Sequence, residues 1–174
     1  MKVLLRALVV FSLLFTGQSL AGWDPTLEND AHESIADFKK HDPDMQIFID
    51  NAWGYAVYPD VGKAGMGIGG AHGKGVLFEQ GQMVGSTTLT QLTFGFQLGA
   101  QLYQEIIFFE NKAAMDDFKN GNYELGAQAS AVAVTVGASA DAGYDNGVAV
   151  FTLAKGGLMY EASVGGQKFS YKPK

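Results

Sequence analysis

The stretch Gly65-Met66-Gly67-Ile68-Gly69-Gly70 satisfies G-x-G-x-x-G, the spacing that brings backbone N–H groups up to a pyrophosphate. That chemistry needs an apolar strand before the turn, a helix opening within it and an acid about 20 residues further on. Ala71 to Phe78 reads instead as turn and strand, so the dinucleotide site lacks its helix. Lys74 makes no phosphate loop either: no glycine lies five residues before Gly73, and Gly75 replaces the Ser or Thr that would hold magnesium. His32, His41 and His72 share no ligand spacing on one element, which predicts scattered surface histidines and no metal site. Asp141 to Gly147 resembles a calcium loop in composition but lacks D-x-D spacing and a closing Glu, so a tight hairpin is expected there. There is no G-x-S-x-G elbow, and zero Cys removes thiolate zinc, iron–sulfur and cysteine-nucleophile chemistry together. The expectation is a protein with no enzymatic activity, cofactor or catalytic residue.

The elements that carry these residues are set by composition and period. At 174 residues, 47% of them hydrophobic, the chain suits one domain with a real core. Its 23 glycines stand near twice the usual ~7% but show no Gly-X-Y period. A net charge of −6 argues against nucleic acid as a partner. Lys2 and Arg6, an apolar stretch from Ala7 to Phe15 and Ser19-Leu20-Ala21 form the three parts of a secretory signal peptide over residues 1–21, too short to span a bilayer. Cleavage after Ala21 would leave 10 basic and 18 acidic residues, net −8, in a periplasmic or secreted protein, peripheral to the outer membrane.

Residues 22–54 read as helical. Asp24-Pro25 is a helix start, followed by an apolar stripe at Leu27, Ala31, Ile35 and Phe38. Asp42-Pro43 repeats the signal before Met45, Phe48, Ile49, Ala52 and Trp53. Seven acids between Gly22 and Asp44 give these helices the wrong sign for an anionic membrane, so they are expected to cover the body instead. Residues 55–174 form a glycine-rich β body. Leu92, Phe94, Phe96, Leu98, Ala100 and Leu102 alternate with Thr93, Gly95, Gln97, Gly99 and Gln101, and Ala131 to Val136 alternates likewise. Further strands are expected at Tyr55–Tyr58, Ala64–Ala71, Gly75–Glu79, Met83–Thr88, Ile106–Glu110, Val148–Leu153, Leu158–Val164 and Lys168–Tyr171. Turns fall at Gln80-Gly81, Asn146-Gly147, Gly156-Gly157 and Gly165-Gly166, and one helix runs from an Asn111 cap through Ala114, Met115 and Phe118 to Gly121. The fold class is α+β, mainly antiparallel β: a curved glycine-rich sheet or small barrel covered by N-terminal amphipathic helices. Gln82–Gln104 and Leu125–Ala140 hold no charged side chain. They are expected to be packed on both faces; the alternative is a face or cleft that admits an acyl chain or lipid head group.

Five ordered blocks, Asn51–Val57, Lys63–Val76, Phe94–Gln101, Gly126–Ala133 and Lys155–Tyr160, resemble the SYLF family (Ysc84-like, DUF500). The resemblance runs from about Ile35 to Tyr171 and points to an exported bacterial member. It implies a lipid-binding domain without cofactor or enzymatic activity; eukaryotic relatives bind phosphoinositide membranes, and some bind actin filaments. Those relatives carry a basic amphipathic helix where Asp24–Lys40 is acidic here, and of a Trp-Ser-x-Pro block near Val84–Thr87 only Ser86 is kept. Actin is therefore set aside as a partner, and phospholipid or a membrane surface is retained. Candidate lipid contacts are Lys63, Lys74 and Lys155, with the backbone N–H groups of Gly67, Gly69, Gly70 and Gly73 as anion donors. Lys168, Lys172 and Lys174 would extend a basic end; the competing reading leaves all six lysines at solvated turns. The alternative functions are a structural outer-membrane β-barrel and an envelope protein–protein interaction module.

Overall fold

A computed structural model describes residues 24–121, 124–125 and 132–174, without the side chains of 96–97, 124–125, 132 and 158–165. The signal peptide expected over residues 1–21 lies outside these, as do 126–131 of the fourth resemblance block. The element order is α1 (Pro25–His41), α2 (Met45–Asn51), β1 (Gly54–Glu79), β2 (Gln82–Phe109), α3 (Lys112–Lys119), β3 (Glu124–Leu125), β4 (Val132–Ala133) and β5 (Val148–Pro173).

The helices start where capping chemistry places them. Asp24 accepts a hydrogen bond from the Thr26 N–H at 3.0 Å, with Pro25 in the first turn. Asn111 accepts from the Ala114 N–H at 3.0 Å, and Gly121 closes α3 at φ 70°. The expected stripes are the buried ones: Ala31, Ile35 and Phe38 on α1, Met45 and Phe48 on α2, and Ala114, Met115 and Phe118 on α3.

The strands differ from expectation in length. Nine short segments merge into three strands of 26, 28 and 26 residues, paired antiparallel in the order β1-β2-β5. Gln80-Gly81 and Asn146-Gly147 are turns, with φ of 51° and 75°, and 50° and 80°. Gly156 and Gly166 instead lie within β5, opposite Leu102 and Leu92. Glycine-glycine pairs here mark bends along a strand rather than its ends. The expected strand over 131–136 is reduced to Val132–Ala133, which pairs parallel with β5, and residues 136–141 are turn.

The three-stranded ribbon folds back on itself. Its proximal half (Gly54 to Val61, Tyr103 to Phe109, Val148 to Ala154) and its distal half (Ala71 to Phe78, Gly85 to Gln91, Gln167 to Pro173) enclose one core, in which Ala56, Tyr58, Tyr103 and Ile107 meet Ala71, Leu77, Leu89 and Phe169. A Cβ on Gly75 would lie 2.5 Å from the Val57 carbonyl oxygen, so the two halves of β1 cross only because that position has no side chain. A second core on the outward face joins α1 and α2 to Tyr55, Val57, Ile106, Phe108 and Phe151. Among the described residues the sheet is open, with β1 at one edge, so neither the small barrel nor the outer-membrane barrel describes it.

Candidate functional site

Between the two halves lies the bend, which spans Gly62–Gly70 of β1, Leu92–Leu102 of β2 and Gly156–Gly166 of β5. Side chains in a strand alternate between faces. Along β2 the odd positions from Thr87 and Leu89 to Tyr103 and Ile107 point into the fold, and the even positions point outward. The outward face is apolar from Leu92 to Leu102 and again at Ile106 and Phe108, with Gln104 between them bonded to Asp37 of α1. The core that α1 and α2 form takes in the proximal strands together with Val76 and Phe78 and leaves out the bend. At the bend Met66, Ile68, Leu92, Phe94, Leu98 and Leu102 remain exposed, from 39% at Leu102 to 80% at Met66. The register confirms that they share a face: Met66 is opposite Leu98 and Ile68 opposite Phe94. The inner side of the same strand is small and polar, with Thr93 buried and Gln91 and Gln101 half-buried. The ordinary arrangement of a β protein is thus reversed here, with polar groups inside and large apolar groups in solvent.

The cause is visible in the pattern. Alternation fixes which residues share a face, but not which face the fold turns inward. The expectation that this segment packs on both sides fails at the bend, because the core built by α1 and α2 closes over the proximal strands and Val76 and Phe78 and includes no residue of the bend. Charge is also segregated. Of the 18 acids, only Glu161 falls within the bend, at the register position opposite Gln97.

Beside the band, where the two halves of β1 converge, is an open groove of about 780 Å³. Its walls are Gly62, Lys63 and Ala64 from one half of β1, Gly70, Ala71 and His72 from the other, Ala100 to Leu102 from β2, and Gly156 with Gly157 from β5. Small residues make the floor, Lys63 and His72 are the ionisable lining groups, and Leu102 belongs to both groove and band.

The expected contact residues separate accordingly. Lys63 and Gly70 come together in the groove. Gly67, at φ 75°, forms the bulge between Met66 and Ile68, a conformation that a side chain would strain. Gly69 is buried opposite Thr93, and Gly73 packs against Val61, where a Cβ would lie 2.9 Å from Cγ2. Lys74 is exposed opposite Thr88 and does not line the groove. Lys155 is the extra residue of a bulge in β5; its Nζ contacts Asp60 Oδ1 at 2.6 Å and the Pro59 carbonyl oxygen at 3.4 Å. The histidines are dispersed: His32 lies against Phe78, His41 bonds the Asp37 carbonyl oxygen, and no cluster of three metal-ligating side chains exists among the described residues. Asp145 bridges Val148 across the expected hairpin.

Two buried acids were not singled out by motif. Asp42, fully buried, accepts from the N–H groups of Ser139 (2.7 Å), Asp44 (3.2 Å) and Gly137 (3.3 Å). Burial alone would raise its pKa, but these hydrogen bonds together hold it below the ordinary carboxylate value. Glu105 is also fully buried, opposite Tyr58. One of its oxygens accepts from Gln167 Nε2 at 3.0 Å, and the other has no partner. Burial pushes its pKa up to about 7, against the opposing effects of that hydrogen bond and the charge of Lys63. Glu105-Gln167 and the 2.8 Å Tyr58-Thr87 hydroxyl contact both tie the proximal half of the ribbon to the distal half. The signal for Glu105 was present in the sequence, as one acid on the stripe Tyr103, Ile107, Phe109.

Comparison with known proteins finds the family described as "Las17-binding protein actin regulator" (Ysc84) matching residues 90–173, from the bend of β2 to the end of β5. The chain is also similar to beta cell expansion factor A of Aeromonas veronii, 30% identical over 131 residues. That alignment covers 73% of this chain and 49% of the relative, so the chain spans about half the length of that protein.

Proposed function

Because this chain belongs to the Ysc84 (SYLF) family, we propose that it is an exported, non-enzymatic lipid-binding module of the bacterial cell envelope that attaches to phospholipid surfaces through its bend. The observation that carries this reading is the exposed band Met66, Ile68, Leu92, Phe94, Leu98 and Leu102, set in a part of the molecule almost free of acids. Burying six side chains that are already partly covered gains on the order of 5 kcal/mol, at about 1.5–3 kcal/mol for each complete burial. That is comparable with a single myristoyl chain, whose membrane attachment is weak and reversible. The acidic helices α1 and α2 pack away from the bend, against the proximal strands and Val76 and Phe78, so the bend is the part of the molecule an anionic surface repels least. Lys63 and Lys74 are the β1 cations placed to meet head groups, a smaller contribution than the apolar one because exposed charges are screened. Actin has no place in this reading.

Flotation of the chain from Gly22 onward, which contains every described residue, tests it. Binding is expected to vesicles with and without anionic lipid and to persist at high salt. Phe94→Glu with Leu98→Glu should release the protein, whereas reversing Lys63 and Lys74 should weaken only the anionic component. Failure to float on every composition would sink the reading. A concentration-dependent dimer that buries the band would point instead to an envelope protein–protein interaction module.

A further inference from the structure

The groove carries an inference about the ligand itself, resting on the lipid-binding reading. Its floor is apolar and nearly without side chains: Gly62, Ala64, Gly70, Ala100 and Gly156 leave a channel that Leu102 continues into the exposed band. Its ionisable lining groups are Lys63 and His72, with no carboxylate, in a protein that carries 18 acids. A cationic lining in an acidic molecule favours an anionic ligand, and an apolar floor favours an alkyl body. The groove has room for an alkyl chain. A chain of 16 carbons displaces roughly 480 Å³, taking each carbon as about the 30 Å³ that a water molecule occupies in the liquid. It fits a groove of about 780 Å³.

We propose that this groove binds one free fatty acid, its carboxylate facing Lys63 and its chain lying on the glycine and alanine floor toward Leu102. The band would then bring the protein to the surface from which such molecules partition, and the groove would hold a single molecule apart from the bilayer. The two sites make separate demands. Attachment through the band needs apolar area and no particular head group, whereas the groove discriminates by charge.

The test is calorimetric titration of delipidated protein with laurate, and with dodecyltrimethylammonium as a cationic probe of the same chain length, both below their micellar concentrations. Laurate is expected to saturate at one per chain and to bind at least about tenfold tighter than the cation, a difference of ~1.4 kcal/mol. Lys63→Gln should weaken laurate about tenfold. A Cβ on Gly156 or Gly62 meets nothing within 4 Å, so Gly156→Leu fills the groove without a backbone clash and should abolish saturable binding. Gly62→Leu serves as a second filling variant should the first fail to fold. The proposal is overturned if laurate does not saturate, if both probes bind equally, or if the Lys63 and filling variants stay within twofold of the parent. Flotation reports separately: a protein that floats but takes up no laurate defeats the groove alone, and one that binds laurate without floating defeats the surface reading alone.

Discussion

At the scale of single residues, Glu105 makes the strongest claim. Its pKa stands at about 7 in the folded protein against an ordinary 4.5. Between those values the native state holds a proton that the unfolded chain has released, so stability falls as pH rises through the window and levels off above it. The loss is on the order of 3 kcal/mol, at about 1.4 kcal/mol for each unit of difference. Chemical denaturation at a series of pH values should therefore show the parent losing stability between about pH 4.5 and 7 and little further change by pH 8. Glu105→Gln keeps an acceptor for Gln167 without the charge and should flatten that slope while being the more stable protein at pH 8. An unchanged slope would show that the carboxylate is not the cause. Asp42 behaves in the opposite sense. Its depressed pKa makes its contribution fully present above the ordinary carboxylate value and lost as pH falls through the folded one. Asp42→Ala strands the N–H groups of Asp44, at the α1–α2 junction, and of Gly137 and Ser139, in the turn packed against it, and should cost about 2–4 kcal/mol by the same measurement.

Among the elements, legibility tracked how local the cause was. Caps, helical stripes and the Gln80-Gly81 and Asn146-Gly147 turns were readable because their partners lie within four residues. The merging of nine strands into three was not, since glycine inside a strand and glycine at its end look alike until pairing across β2 and β5 is known. Face assignment failed at the bend for a related reason: period two groups Leu92 with Phe94 and Leu98, but covering them needs another element, and α1 and α2 pack on the proximal strands and Val76 and Phe78 instead. Of the expected contact residues, Lys63 and Gly70 meet while Lys155 pairs with Asp60, a partition that depends on the crossing of β1 over itself. That crossing can be tested by substitution. Gly75→Ala would place a Cβ 2.5 Å from the Val57 carbonyl oxygen and 2.6 Å from the Tyr58 ring, and should cost about 3 kcal/mol of unfolding free energy, as overpacked sites do. Gly62→Ala, whose Cβ meets nothing within 4 Å, should be neutral within about 0.5 kcal/mol. Equal effects at the two positions would refute the close approach.

For the molecule as a whole, the arrangement is polar in the geometric sense: acids and helices toward one end, an apolar bend at the other. Vesicle attachment driven by the bend should change less than about threefold between low and high salt, because screening acts on exposed charge and leaves apolar burial nearly untouched. A steep loss with salt would transfer the role to the lysines. The pairing of β5 along the length of β2, from Val148 opposite Phe109 to Pro173 opposite Gly85, carries a consequence in time rather than space. The hairpin of β1 and β2 is local and can close early, but its third strand arrives only after α3 and the segment that follows have been made. Until then the β2 edge and the Tyr58 and Leu89 side chains wait for Phe169 and its neighbours. Pairing at such sequence separation is slow, so a chain stopped before Lys168 would linger as a half-covered hairpin with an adhesive edge. Pairing of Lys168–Pro173 with Gly85–Thr90 is thus expected to be a late event in folding.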